Sequence, residues 1–388
     1  MVLFLATTCV ESMSWTQLGS FTPLYLRELR VSEAAIPGWV AAMSSLGWVI
    51  ALPLAPFWGV WADRYSRKAV IVRSAVFEAA IFAGWAFATG PWTALAFRCL
   101  NGLIVGNTGV MLAVQASVTP KERLGLAIGV VGAGSQVGRA VGPALGALLI
   151  HLVDVRGMLL VDAALSLAMA GLLTAFANEP ERERPTGTRV LTLLREAFGE
   201  IRGHPLIWRM FVALTLAQTA TWFVYPYLPI YITRLASGTA IPGPTAIGLV
   251  LSATGLLAAV ASPVWGRLVD RVGHIRLLSV TSVLTAAGLL GAGFAPGLGW
   301  LAAALLGFSV FSVAFQVANM ALLARAVSPA RRGAVLGQVL FPFYVAGLVG
   351  PPVGSVLFAL GRPQLFAAAA LVTLAPLGLL ASARRALR

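Results

Sequence analysis

Long apolar runs follow one another along the whole chain, interrupted only by short segments carrying charge, proline or glycine, and this spacing leaves few ways to fold. The runs lie at about 2–26, 37–61, 69–89, 92–117, 124–150, 157–177, 206–231, 244–265, 277–295, 299–323, 334–360 and 364–382. A helix crossing the hydrocarbon core of a bilayer needs about 20 mostly apolar residues. Inside lipid each segment must satisfy its own backbone polar groups, so runs of this length become helices. The expected fold class is an all-α integral membrane protein with twelve transmembrane helices. Only 11% of the 388 residues are charged, against roughly 25% in soluble domains, and the runs leave no length for a soluble domain.

The formal net charge of +14 does not point to nucleic acid, which requires basic residues gathered on one soluble face. Here they lie between apolar runs. With the N-terminus inside, Arg27, Arg30, Arg156, Arg234 and Arg362 fall on the outer side, Arg98 and Arg139 fall inside spans, and the remaining Lys and Arg residues fall on the inner side. That asymmetry orients the chain with both termini cytoplasmic, in a cell (plasma or inner) membrane. The first run lacks a basic start and is long enough to span, so it is expected to be the first helix and not a cleaved leader. Cys9 and Cys99 lie in apolar runs and His151, His204 and His274 are scattered. No disulfide framework, metal site or cofactor is expected from them.

The longest connection, 178–204, opens with Asn178-Glu-Pro-Glu-Arg-Glu-Arg-Pro185 and divides six runs from six. The expected domains are 1–177, the linker 178–204 and 205–388. Val190, Leu191, Leu194, Ala197, Phe198 and Ile201 fall on one helical face of the linker and Arg195, Glu196, Glu200 and Arg202 on the other. Two readings stand for it, a helix in the membrane interface and a polar hinge.

The two halves repeat each other. Gly59-Val-Trp-Ala-Asp63-Arg64 returns as Gly266-Arg-Leu-Val-Asp270-Arg271, and Gly142-Pro143-Ala-Leu-Gly146 returns as Gly350-Pro351-Pro-Val-Gly354. The offsets from position 59 to 266 and from 142 to 350 are nearly equal, which implies duplicated six-helix halves.

With those residues in view, the chain resembles the major facilitator superfamily, whose parallel halves are a known case of such repeats. Gly59-Val-Trp-Ala-Asp63-Arg64-Tyr-Ser-Arg67-Lys68 is similar to the family signature between spans 2 and 3, with Ser66 where Gly is usual. Arg98-Cys-Leu-Asn101-Gly102 in span 4 is similar to a second family motif. In span 5, Gly129, Gly138, Gly142, Pro143 and Gly146 resemble the motif of the drug/proton antiporter group, with Ala147 replacing its final Gly. Gly134, Gly138, Gly142 and Gly146 also form a four-residue ladder that lets another helix backbone approach closely, and Pro143 introduces a bend. The resemblance implies a fold of two pseudo-symmetric six-helix halves and alternating access. It also implies a conformational gate comprising Gly59, Asp63, Arg64, Arg67, Gly138, Gly142, Pro143, Gly266, Asp270 and Arg271, with Glu122 as a partner for Arg64 or Arg67.

Three acids fall at membrane depth: Glu11, Glu78 and Asp162. An ionisable group there is costly and becomes a functional candidate by default. The resemblance places spans 1, 4, 7 and 10 around the central cavity, so Glu11 ranks first for proton coupling. A structural or interfacial role competes for Glu78 and Asp162, and a permanent Glu11–Arg98 pair competes for Glu11. Thr7, Thr8, Ser14 and Trp15 lie one turn from Glu11.

No Asp or Glu follows Asp270, so any proton coupling belongs to the first half. Substrate-binding candidates are Trp15, Arg98, Asn101 and Gln115 in the first half and Gln218, Trp222, Tyr225, Gln316 and Asn319 in the second. For the aromatics around Pro226 and Pro229 an interfacial belt stands beside a substrate wall. An apolar, aromatic cavity suits lipophilic or amphipathic substrates better than sugars. The expected protein is a monomeric, proton-coupled exporter of small lipophilic molecules, not an enzyme. The alternatives are a lipid or lysolipid exporter, a metabolite uniporter and, more remotely, a substrate-sensing receptor.

Overall fold

A computed structural model describes residues 1–105, 107–120, 123–177, 199, 203, 205–326 and 340–379. All regular structure among them is helical. The helices are α1 (Val2–Glu28), α2 (Ile36–Arg64), α3 (Arg67–Ala86), α4 (Pro91–Arg98), α5 (Asn107–Val118), α6 (Leu124–Phe176), α7 (Pro205–Val224), α8 (Leu228–Ala236), α9 (Gly243–Val272), α10 (His274–Gly293), α11 (Leu298–Ala326), α12 (Leu340–Leu360) and α13 (Arg362–Leu374). Nine stretches of the described residues are long and apolar enough to cross a membrane. Large side chains such as Leu152, Phe176, Val260, Leu360 and Leu371 stay exposed, as expected where lipid and not water is the surrounding medium.

Four expected spans depart from simple helices. The fifth and sixth run together as α6, whose 53 residues would extend about 80 Å if straight, far beyond a bilayer core. The helix is broken at Asp154, which takes φ 67° and ψ −177°. The Asp154 carboxylate accepts a hydrogen bond from the Gly157 backbone N–H at 2.7 Å and so caps the helix that follows. The fourth span is divided between α4 and α5 by a 3-10 turn, Cys99–Leu103. The Trp58 indole N–H donates to the Gly102 carbonyl at 2.8 Å, and an Arg73 Nη donates to the Val105 carbonyl at 3.1 Å. Carbonyls released by the break thus keep donors, as they must away from water. The seventh span breaks at the 3-10 turn Tyr225–Tyr227, where Pro226 and Pro229 lack the N–H groups that a continuous helix uses.

The chain forms two compact units, Met1–Val190 with Ile247–Ser252, and Leu191–Ala246 with Ala253–Arg388. In the first, α1 packs on α6, and α3 packs on α6 and α5. In the second, α7 packs on α12, and α10 packs on α11 and α13. The same helix partnerships therefore recur at corresponding places in the repeat. Phe4, Val70, Ile71, Met111, Val131 and Leu173 belong to a core of the first unit, and Met210, Phe211, Leu278, Phe315 and Leu323 to one of the second. The linker readings for 178–204 fall outside the described residues, apart from Gly199 and Gly203.

Candidate functional site

The glycine ladder determines where α1 lies. A Cβ at Gly142 would sit 2.8 Å from the Met13 carbonyl oxygen, and one at Gly138 would meet the Cys9 carbonyl and come within 2.9 Å of the Met13 nitrogen. Gly134 faces Leu5 and Thr8 in the same way, and Gly146 faces Gln17 and Phe21. The Thr8 hydroxyl donates across the contact to the Val131 carbonyl at 2.9 Å. Pro143 is buried within the same helix. The second unit repeats the arrangement, with Gly350 against Trp222 and Gly354 against the Phe223 backbone and the Tyr227 ring. There the Tyr227 hydroxyl donates to the Pro351 carbonyl at 2.5 Å.

Seated this closely, α1 presents Glu11, Ser14 and Gln17 at successive three-residue steps, along one stripe of the helix. Ser14 Oγ donates to Asp162 Oδ1 of α6 at 2.8 Å. Glu78 of α3 lies within electrostatic range of both Glu11 and Asp162, with Ser166 and Trp15 beside its carboxyl group. The three acids expected at membrane depth are therefore neighbours, contributed by three different helices. Their access differs: Glu11 is half-buried, whereas Glu78 is 4% exposed and Asp162 0%. Asn107 of α5 and Arg139 of α6 are the groups that act on Glu11.

Arg98, weighed as the partner of Glu11, is engaged elsewhere. Its Nε donates to the Met43 carbonyl of α2 at 2.8 Å, and its guanidinium lies over the Trp15 ring, 4.5 Å from the centroid. A cation on an aromatic face keeps part of its stabilisation without an acid. Asn101 Nδ2 donates to the Gly47 carbonyl at 3.3 Å, so both polar side chains of the span 4 motif tie that span to α2. Gln115 lies two turns beyond Asn107 on α5, where its Nε2 donates to Thr119 Oγ1 at 2.9 Å.

In the second unit Gln316 Nε2 donates to Gln218 Oε1 at 3.3 Å, which brings two substrate candidates together. Trp222 and Tyr225 stand with ring centroids 6.4 Å apart, and Tyr225 keeps 39% exposure. Asn319 is different: fully buried, it donates to the Met210 carbonyl at 3.3 Å. That contact is internal packing of α11 on α7 and leaves Asn319 no open surface for a substrate.

Of the gate residues, Arg67 donates to the Ala113 carbonyl at 3.4 Å, Gly266 lies in α9 with open space beside it, and Arg271 is exposed in the last turn of that helix. The side chains of Asp63, Arg64 and Asp270, the surroundings of Gly59, and Glu122 lie outside the described residues. Ser66, which replaces the usual glycine of the motif, accepts a hydrogen bond from the Ala69 N–H at 3.0 Å and caps α3. Sequence reasoning missed Arg73, which it counted among the loop cations. Arg73 lies inside α3, with its guanidinium 3.5 Å from the centroid of the Trp58 ring. The available signal was its position inside the apolar run 69–89, beyond the polar loop. Asn107 and Ser166 were also missed, because short polar side chains are common in membrane helices and carry no pattern of their own.

The sequence profile of the Major Facilitator Superfamily matches residues 3–243 and 239–386. Multidrug resistance protein MdtG of Citrobacter koseri is 30% identical over 266 residues, which is 68% of this chain and 65% of that protein. A homolog of the multi-drug resistance efflux pump PmrA from Lactococcus lactis is 30% identical over 272 residues, 70% of this chain and 66% of that protein. The aligned part thus spans slightly under two thirds of these relatives. Among solved structures, a bacterial homolog of the human lysosomal transporter Spinster superposes with a TM-score of 0.81 at 14% identity, covering 99% of this chain and 96% of the other. The nucleoside transporter NupG superposes with a TM-score of 0.79 at 14% identity, covering 98% of each. At these identities the structural likeness establishes the fold.

Proposed function

Because this chain belongs to the major facilitator superfamily, we propose that it is a secondary active transporter exporting lipophilic or amphipathic small molecules by alternating access, driven by protons that bind at Glu11. The observation that carries this reading is the position of the Glu11 carboxyl group. It is half-buried on the helix seated against the glycine ladder, beside Asn107 and in the field of Arg139. An acid that is only partly enclosed while lying at membrane depth is suited to exchanging a proton between the two sides. The relatives named for multidrug resistance and efflux support export as the direction. The Gln218–Gln316 contact beside Trp222 and Tyr225 offers few hydrogen-bonding groups in aromatic surroundings, which favours apolar substrates.

In this reading twelve spans form two halves, 1–177 and 205–388, joined by 178–204, and the protein works as a monomer in a cell membrane with both termini cytoplasmic. The break at Asp154 supports counting α6 as two spans. Asp63, Arg64 and Arg67 act in the gate, where ion pairs weight the two access states without touching substrate.

The test uses purified protein in liposomes, ethidium as the lipophilic probe and an imposed pH gradient. Wild-type protein accumulates ethidium only with the gradient, and Glu11→Gln retains probe exchange but loses accumulation. Accumulation by Glu11→Gln would move the coupling site elsewhere. Equal transport by the wild type with and without a gradient would make the protein a uniporter.

A further inference from the structure

We propose that Glu78 and Asp162 form an inner proton-binding site, separate from Glu11, which takes up and releases one proton in each transport cycle. Its place in that cycle rests on the proton-coupled reading above. The existence of the site does not.

The geometry begins with burial. Glu78 and Asp162 come from different helices, α3 and α6, and both are at least nine-tenths enclosed. Two carboxylates in mutual electrostatic range repel each other strongly in a low-dielectric interior, where no water screens them. A permanent structural role would require a cation between them or a complete set of hydrogen-bond donors. Neither is found among the described residues. Asp162 Oδ2 and Glu78 Oε1 accept no hydrogen bond.

The charged groups around the pair are few. From α1 comes Glu11, of the same sign, with Arg139 of α6 acting on it. Arg98 lies across Trp15, engaged with Met43. In α2 no ionisable side chain precedes Asp63. Donors are equally scarce: Ser14 serves Asp162 Oδ1, and Trp15 stands beside Glu78. Ser166, 1% exposed, faces the same carboxyl group.

Four carboxylate oxygens thus meet fewer donors than they can use. A protonated carboxyl group supplies an O–H donor and removes one of the two like charges, so the missing component is a proton. A shared metal ion is disfavoured, because no group of three His, Cys, Asp or Glu side chains among the described residues is arranged to hold one. The contact of Ser14 with Asp162 gives the site a link to α1, since movement of α1 along α6 would make or break that hydrogen bond. Binding and release of the proton would then follow the helix movement.

The test needs no substrate. Purified wild-type protein and the variants Glu11→Gln, Glu78→Gln and Asp162→Asn are followed by difference infrared spectroscopy across a pH step, reading the carbonyl stretch of protonated carboxyl groups. The wild type should show a titrating signal that survives Glu11→Gln and is lost in Glu78→Gln or Asp162→Asn. Ser14→Ala, which keeps all three acids and guards against a variant that fails to fold, should shift the same signal. Spectra of Glu78→Gln and Ser14→Ala indistinguishable from wild type would overturn the inner site. A signal that responds to added sodium at constant pH would overturn it in favour of a cation site. Failure of proton coupling is recognised separately, as gradient-independent ethidium transport by wild-type protein that still shows the inner signal.

Discussion

The first unit and the second use the same helix partnerships for different chemistry. In both, a glycine-bearing helix lies against the first helix of its half: α6 on α1 through Gly138 and Gly142, and α12 on α7 through Gly350 and Gly354. In both, the third helix packs on the last, α3 on α6 and α10 on α13. Yet at the offset of 207–208 set by the repeated motifs, Glu11 is matched by Gln218 or Thr219, Glu78 by Thr285 or Ala286, and Asp162 by Ala369 or Ala370. The Thr285 hydroxyl returns to its own helix, donating to the Thr281 carbonyl at 2.6 Å. Packing was thus retained through the duplication while ionisable groups stayed on one side. Under the proposed function, the scaffold would account for movement shared by the halves and the acids for an asymmetry of coupling.

The comparison is broken most severely through the acids. Glu11→Gln should abolish gradient-driven ethidium accumulation, whereas Gln218→Ala should weaken half-saturation severalfold and leave the gradient dependence intact. If Gln218→Ala also uncouples transport, the two units do not divide the work in this way.

Next come the glycines. Gly142→Leu and Gly350→Leu each force a side chain against a neighbouring helix, and overpacking commonly costs about 1–3 kcal/mol. Both should reduce transport strongly with expression largely retained, and to a comparable degree. A loss confined to one unit, measured as initial rate per amount of protein in the membrane, would show that only one helix pair moves.

A smaller effect is expected from hydroxyls. Ser14→Ala removes a buried hydrogen bond to a carboxyl group, a change of about 1.5–3 kcal/mol where the group is charged, while Thr285→Val removes only a bond within one helix. Thermal unfolding in detergent should fall measurably for the first and little for the second. Equal shifts would mean that the Ser14–Asp162 contact has no special weight.

The smallest effect is assigned to the gate. Asp63→Asn should shift the balance of access states by about 1 kcal/mol, as partly exposed ion pairs contribute little. The readout is faster labelling of Gln115→Cys from the cytoplasmic side, in a background lacking Cys9 and Cys99. Slower or unchanged labelling would return Asp63 to an ordinary charge in a polar loop.

Much of the architecture was legible because each physical requirement leaves its own trace. Membrane helices require long apolar runs, close backbone contact requires glycine at four-residue spacing, and duplication leaves repeated motifs. The partner of the glycine ladder was not legible, since nothing in Gly138 or Gly142 names Cys9 or Met13. Glu11, Glu78 and Asp162 were each identifiable as costly, but their convergence depends on how three helices rotate about their axes, which apolar sequence hardly constrains. The surroundings of Arg98 were equally hidden, since the sequence does not name the Met43 carbonyl and the Trp15 ring that meet it. Nor does the sequence name the Met210 carbonyl to which the buried Asn319 donates, a partner that buried amides commonly take.

The break at Asp154 has a mechanical meaning. A non-glycine residue with φ 67° and ψ −177° occupies a backbone region used almost only by glycine, at a cost on the order of 1–3 kcal/mol. Only this residue departs from helical geometry between the segment carrying Gly138 and Gly142 and the segment carrying Asp162 and Ser166. A hinge so short transmits displacement with little slack. If α1 slides along the glycine face in the proposed cycle, the same push would reach Asp162 through the turn at Asp154, as well as through Ser14. The fifth and sixth spans would then act as a crank: two arms on one bent pin, converting a slide at one arm into a displacement of the buried acid on the other.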